Sequence, residues 1–362
     1  SFLDCIFHSV NSLKMTKYRY SMLLLLLFML LRPSSANEEM VCSPKKKLFV
    51  FGDSYLDTGN SNPPVGPWNL PFGITNPGKP TGRFSDGLVA TDFIASLLGL
   101  HSPVPYLHRM ESKERSGINF AVGGAGLYPT TFNNESMMVQ MGHLEDLIKE
   151  GAYSLDELQN SVAFVSISGN DYGTYKEWKF QDLPSFTITV VAQLAANLQK
   201  LHTFGIGNVA VASLPPLGCL PQNAANSSYP GNCNETINSG SRYHNHLLKK
   251  AVETLNQVNK RKGFAYIDFY EGFYSAMDEH FKSIGSNPTV GCCLGKGVTS
   301  CGSVENGNPA YTLCEHPEQS FFWDLAHPAQ HGWQLVIDAL GGNLLRSLIC
   351  IQQINRLSVS SF

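Results

Sequence analysis

Residues 47–60 read Lys47-Leu48-Phe49-Val50-Phe51-Gly52-Asp53-Ser54-Tyr55-Leu56-Asp57-Thr58-Gly59-Asn60. After Lys47, the next four residues form an apolar run with a β-branched and two aromatic members, bounded by glycine, which predicts a strand over Lys47–Phe51 buried on both faces. Val162–Ser168, Asn208–Ala212 and Phe264–Asp268 have the same character. Around them, apolar residues recur at helical spacing over Asp86–Leu98, Phe186–Phe204, Asn234–Lys260 and Gln330–Ile351. Buried strands alternating with helices require a parallel sheet covered on both sides. The expected fold is therefore α/β, a three-layer α/β/α sandwich with a mostly parallel central sheet. Such sheets place functional loops beyond the carboxyl ends of their strands.

Ser54 stands in that position, directly after a strand and two residues past a glycine. A helix following it would turn free N–H groups toward the serine and favour negative charge there. Gly, Asp and Ser also make ordinary turns, so the segment alone supports either reading. It is not the G-x-S-x-G elbow, since position 56 is Leu. Near the other end lies Phe321-Phe322-Trp323-Asp324-Leu325-Ala326-His327-Pro328. An Asp three residues before a His can reach the imidazole Nδ1–H and fix the tautomer that leaves Nε2 as a base. Pro328 suits the first position of a helix, which would put His327 at a helix entrance. An isolated pair of this kind is more often a helix cap.

Two further segments add to these. Asn119-Phe120-Ala121-Val122-Gly123-Gly124-Ala125-Gly126 can expose backbone N–H groups, but it has neither nucleotide-binding spacing nor a convincing strand before it. Gly169-Asn170-Asp171-Tyr172 follows the strand ending at Ser168, where the Asn170 amide can face an oxyanion or simply form a turn.

Taken in order, FVFGDSYLDTGN, NFAVGGAG, SGNDY and FFWDLAHP resemble the GDSL esterase/lipase family, the SGNH hydrolases, and specifically its plant branch. GRFSDG at Gly82–Gly87 and LPPLGC at Leu214–Cys219 add to the resemblance, which spans residues 48–328. It implies a flavodoxin-like sandwich, with Ser54 as nucleophile, His327 as base and Asp324 as its partner. It also implies an oxyanion hole made by the N–H groups of Ser54 and Gly123 and the amide of Asn170, Gly123 being chosen over its neighbour Gly124. Tyr55 departs from the family pattern, which has Leu there. The expected activity is hydrolysis of carboxylic esters through an acyl-enzyme on Ser54, with no metal or organic cofactor. An acyltransferase using the same acyl-enzyme, or a secreted binding protein that has lost activity, would keep much of the same sequence.

Composition is consistent with this reading. With 43% hydrophobic and 15% charged residues and a net charge of −3, the 362-residue chain is of ordinary globular type. The short Lys45-Lys46-Lys47 run gives no nucleic-acid surface. The partner to expect is an ester, either a small molecule or borne on a polymer. After the probable start at Met15, Lys17 and Arg19 precede the apolar run Met22–Leu31, and Ser34-Ser35-Ala36 offers a cleavage site. This is the order of a secretory signal peptide, and the apolar run is too short to anchor the chain in a bilayer. Residues 1–36 are thus read as upstream residues and leader, and 37–362 as a single hydrolase domain. Removing the leader leaves 22 basic against 28 acidic residues, a net −6.

Eight cysteines then remain, an even number that favours disulfides in an oxidising compartment over a metal site at Cys292–Cys314. The adjacent Cys292 and Cys293 would bond to separate partners. Asn134, Asn226 and Asn234 each head a glycosylation triplet. His244 and His246 point to different helix faces and make a poor metal pair, and His331 is read as a packing residue.

Overall fold

The structure, a computed structural model, describes residues 38–354 apart from 46, 63–65, 112–115, 175–181, 226 and 260–262. The expected leader, with Met15, and the acceptor Asn226 lie outside the described residues. The elements described below belong to one compact unit, Met40–Gln353.

Six strands make the central sheet: β1 (Lys47–Gly52), β2 (Val104–Pro105), β3 (Gly117–Asn119), β4 (Ser161–Ser166), β5 (Asn208–Ala212) and β6 (Phe264–Ile267). Their spatial order is β2-β3-β1-β4-β5-β6, and every neighbouring pair is parallel. In β1 the side chains divide by period two. Leu48 and Val50 enter one core, while Phe49 and Phe51 enter the other. Phe164 and Val165 in β4 repeat the division, as do Ala210 and Val211 in β5. Each apolar side chain of this size stabilises the fold by roughly 1.5–3 kcal/mol when fully buried.

The covering helices are α1 (Ala90–Leu97), α2 (Met137–Lys149), α3 (Leu155–Gln159), α4 (Gly169–Thr174), α5 (Leu183–Thr203), α6 (Glu235–Val258), α7 (Phe269–Ile284) and α8 (Gln330–Ile349). Ile94 of α1, Phe273 of α7 and Val336 of α8 join the core of Leu48 and Val50. Met141 of α2, Leu194 of α5 and Leu248 of α6 join that of Phe49 and Phe51. The expected three-layer α/β/α sandwich is thereby present.

Several details differ from expectation. A strand does precede the glycine-rich segment, because Gly117–Asn119 pairs with both β1 and β2. The helix expected from Asp86 starts at Ala90: Asp92 reaches back to accept from the Val89 N–H, and Asp86 is engaged elsewhere. Pro328 is not the first residue of α8. It forms an antiparallel bridge with Phe322, and the helix begins two residues later, where the Gln330 N–H donates to Asp86 Oδ1 at 2.7 Å.

All eight cysteines among the described residues pair, as Cys42–Cys350, Cys219–Cys233, Cys292–Cys314 and Cys293–Cys301. Cys292 and Cys293 do take separate partners. No helix among the described residues is long and apolar enough to cross a membrane.

Candidate active site

β1 delivers Ser54 to the carboxyl edge of the sheet, between the ends of β3 and β4. Gly52 permits this because a Cβ there would lie 2.3 Å from the Ser166 carbonyl of β4. Instead of the helix that sequence allowed, a single tight turn follows, in which Leu56 N–H and Asp57 N–H both donate to the Asp53 carbonyl at 3.0 Å. Ser54 is 8% exposed at the surface of a cavity of about 810 Å³.

The base arrives from the far end of the chain on the loop between Phe321 and Ala329. Trp323 N–H donates to the His327 carbonyl at 2.7 Å, and Ala329 N–H to the Phe321 carbonyl at 2.9 Å, closing the loop around Asp324. Asp324 Oδ1 accepts the N–H groups of Ala326 and His327 at 2.9 and 2.8 Å. With the Nδ1–H tautomer, the His327 ring donates to Asp324 Oδ2 at 2.8 Å and its Nε2 accepts from Ser54 Oγ at 2.8 Å. Sequence placed these three residues together across 273 positions, and the fold brings them within hydrogen-bond distance.

The charges support one another. Burial raises the Asp324 carboxyl, but the His327 charge and the donors around it outweigh burial and hold it below its ordinary value. Burial lowers the His327 imidazole, whereas the Asp324 charge and hydrogen bond, with a contribution from Asp53, leave it above the ordinary histidine value. Asp324 therefore stays ionised and stabilises an imidazolium.

The glycine-rich segment is tied to the nucleophile turn by buried amides. Asn119 Nδ2 donates to the Leu56 carbonyl at 2.7 Å, and Asn60 Nδ2 to the carbonyls of Asn119 and Ala121 at 2.8 and 2.9 Å. Gly123, the glycine expected to serve the oxyanion, lines the cavity. Its N–H is committed to Asp57 Oδ2 at 2.9 Å and Ser61 Oγ at 3.1 Å. Gly124 N–H has no protein acceptor among the described residues, and Gly124 lines the same cavity. Asn170, at the start of α4, also lines it; its amide donates one N–H to the Ala125 carbonyl at 2.9 Å, leaving the second for a ligand.

Phe84, from the Gly82–Gly87 segment, packs its ring 5.0 Å from that of His327 and against Gly123, where a Cβ would meet it at 2.3 Å. Leu214 and Leu217, from the Leu214–Cys219 segment, form another part of the wall. Both segments entered the sequence reading only as supporting matches; what they do became visible when the fold brought them to the cavity.

The family model for GDSL-like lipases and acylhydrolases matches residues 48–340. The chain belongs to this family. A GDSL esterase/lipase of Arabidopsis thaliana is 40% identical to this family member over 312 residues, covering 82% of this chain and 88% of its own. A second Arabidopsis GDSL esterase/lipase is 40% identical over 333 residues, covering 87% and 91%. Acetylajmalan esterase 2 of Rauvolfia serpentina is 27% identical, covering 90% and 97%. Among solved structures, an acetylxylan esterase of Geobacillus stearothermophilus aligns at 14% identity with a TM-score of 0.39 over 85% of this chain and 95% of its own, a likeness too weak to add to the fold described above. This GDSL family member is a carboxylic ester hydrolase.

The remaining polar residues noted in the sequence lie away from this chemistry. His244 is buried, with Nδ1 2.9 Å from the Tyr172 hydroxyl, and burial pulls its imidazole down to about 3. His246 is exposed, and His331 packs 5.7 Å from the ring of His280. Asn134 and Asn234 are exposed, Asn234 capping α6 by accepting the Ile237 N–H. Among the described residues, no group of three or more His, Cys, Asp or Glu side chains could hold a metal ion.

Proposed function

We propose that this protein is a secreted serine esterase that works through an acyl-enzyme on Ser54. The observation that carries the reading is the unbroken chain from Asp324 through His327 to Ser54 Oγ, with both contacts at 2.8 Å, at the wall of an 810 Å³ cavity. Ser54 Oγ attacks the ester carbonyl as His327 Nε2 takes its proton. The oxyanion rests on the N–H groups of Ser54 and Gly124 and the free N–H of the Asn170 amide. His327 then protonates the leaving alcohol, and water repeats the cycle on the acyl-enzyme. Four disulfides and the leader-like residues 15–36 support secretion, and Asn134 and Asn234 are exposed where glycans would attach.

The test is hydrolysis of p-nitrophenyl acetate, butyrate and palmitate by the wild type and Ser54→Ala, with fluorophosphonate labelling of both. Activity and labelling should vanish together in Ser54→Ala, and Asn170→Ala should lower turnover by about 10²- to 10³-fold. Equal hydrolysis by the wild type and Ser54→Ala would remove Ser54 from the mechanism.

A further inference from the structure

Tyr55 directly follows the nucleophile, and its side chain crosses to the base. The Tyr55 hydroxyl donates to the Ala326 carbonyl at 2.8 Å, across 271 positions of sequence. That carbonyl belongs to the peptide unit whose N–H is His327's own, and this N–H donates to Asp324 Oδ1 at 2.8 Å. One peptide unit is thus gripped at both ends, by the neighbour of the nucleophile and by the carboxylate that orients the imidazole. The Tyr55 ring is itself fixed, 5.1 Å edge-on to Trp333 and 6.3 Å from the near-parallel Phe273, with the His327 ring 6.1 Å away. Burial, and then the charges of Asp53 and Asp324, push the phenol well above its ordinary range, so it remains a donor at any working pH. A leucine could fill the apolar part of this space but could not make the bond.

We infer that Tyr55 is a positioning residue: its hydroxyl ties the base loop to the nucleophile turn and so sets the approach of His327 Nε2 to Ser54 Oγ. The inference rests on the serine-esterase reading above and concerns a hydroxyl that is bonded to the Ala326 carbonyl and carries no transferred proton, although Tyr55 also lines the cavity. A rigid tie of this kind matters because small misplacements of reacting groups are costly in rate while leaving substrate binding alone.

The experiment compares Tyr55→Phe and Tyr55→Leu with the wild type on p-nitrophenyl acetate, each alone and in a His327→Ala background. Rates are normalised to folded protein, measured by near-UV circular dichroism. Tyr55→Phe and Tyr55→Leu should each lower kcat by about tenfold, with KM changed less than about twofold, and fluorophosphonate labelling should slow in parallel. In the His327→Ala background, where no base is left to position, neither substitution should lower the residual rate further. Wild-type kcat in Tyr55→Phe would overturn the inference. So would a loss of equal size with and without His327, or a change confined to KM. A wild type that neither hydrolyses esters nor takes up the fluorophosphonate would overturn the esterase reading and this inference with it, whereas a labelled wild type with an unaffected Tyr55→Phe would overturn the inference alone.

Discussion

Asp53 precedes the nucleophile and is 7% exposed, with Oδ1 accepting the Tyr55 N–H at 3.1 Å. Burial is the main reason its carboxyl is raised to about 7; the Tyr55 N–H and the His327 charge work against that rise, and Asp171 adds to it. Its charge is in turn one of the influences that raise His327. The base must be neutral to accept a proton, so activity should climb with pH through a midpoint above the ordinary histidine value. Asp53→Asn removes a negative charge that favours the imidazolium, so the acid limb of kcat/KM should move to lower pH. A limb that stayed in place or moved upward would exclude this electrostatic role. Ser54, Asp324 and His327 were legible through the resemblance of four ordered blocks to the GDSL family, since each segment alone left its role open, whereas Asp53 stood out only as a turn former. The choice between Gly123 and Gly124 was beyond the sequence for a related reason: what separates two adjacent glycines is the buried carboxylate of Asp57, which sits 66 positions from Gly123 and claims its N–H.

The nucleophile strand reaches past the end of its neighbour. β3 pairs with β1 only as far as Val50, so Gly52, flanked by Ser166 of β4, has no strand partner on the β3 side. Gln140, fully buried on α2, substitutes for the missing strand: its Oε1 accepts from Gly52 N–H at 2.9 Å and its Nε2 donates to the Gly52 carbonyl at 2.8 Å. Gln140→Leu should therefore cost about 1–3 kcal/mol in urea unfolding, because it leaves a buried N–H unpaired. It should also lower turnover, since Gly52 lies two residues before Ser54. Stability unchanged within about 0.5 kcal/mol would mean that water or a neighbour satisfies Gly52 instead. The long strands were legible because four or more apolar residues in a row are hard to place elsewhere, and Asn208–Ala212 was located to the residue. β2 and β3, at two and three residues, are too short for alternation to register. α7 did carry a helical signal, with Phe269, Phe273, Ala276 and Met277 buried along one face, but it follows β6 after one residue and was passed over.

At the scale of the whole molecule the disulfides divide into two kinds. Cys42–Cys350 joins residues 308 apart near the two ends of the Met40–Gln353 unit, whereas Cys292–Cys314 and Cys293–Cys301 brace the segment that supports the base loop. Cys292 N–H and Cys293 N–H donate to the carbonyls of Phe322 and Trp323 at 3.1 and 2.6 Å, directly before Asp324. Replacing Cys42 and Cys350 with serine should lower stability by about 2–4 kcal/mol while leaving kcat at 25 °C unchanged. Replacing Cys292 and Cys314 should lower kcat itself, measured well below the unfolding midpoint. The reverse pattern would show that the base loop does not depend on this brace. Sequence supplied the even count and the separate partners of Cys292 and Cys293, but pairing is a property of distance in space and had to await the fold.

The loop that carries Asp324 and His327 is synthesised well after the nucleophile turn, His327 following Ser54 by 273 positions. A polypeptide broken off before Phe321 contains the entire nucleophile turn and none of the groups that would make its serine basic. The proposed chemistry is therefore withheld from any copy that stops short of His327, and esters around the ribosome meet a complete triad only once translation has passed that residue.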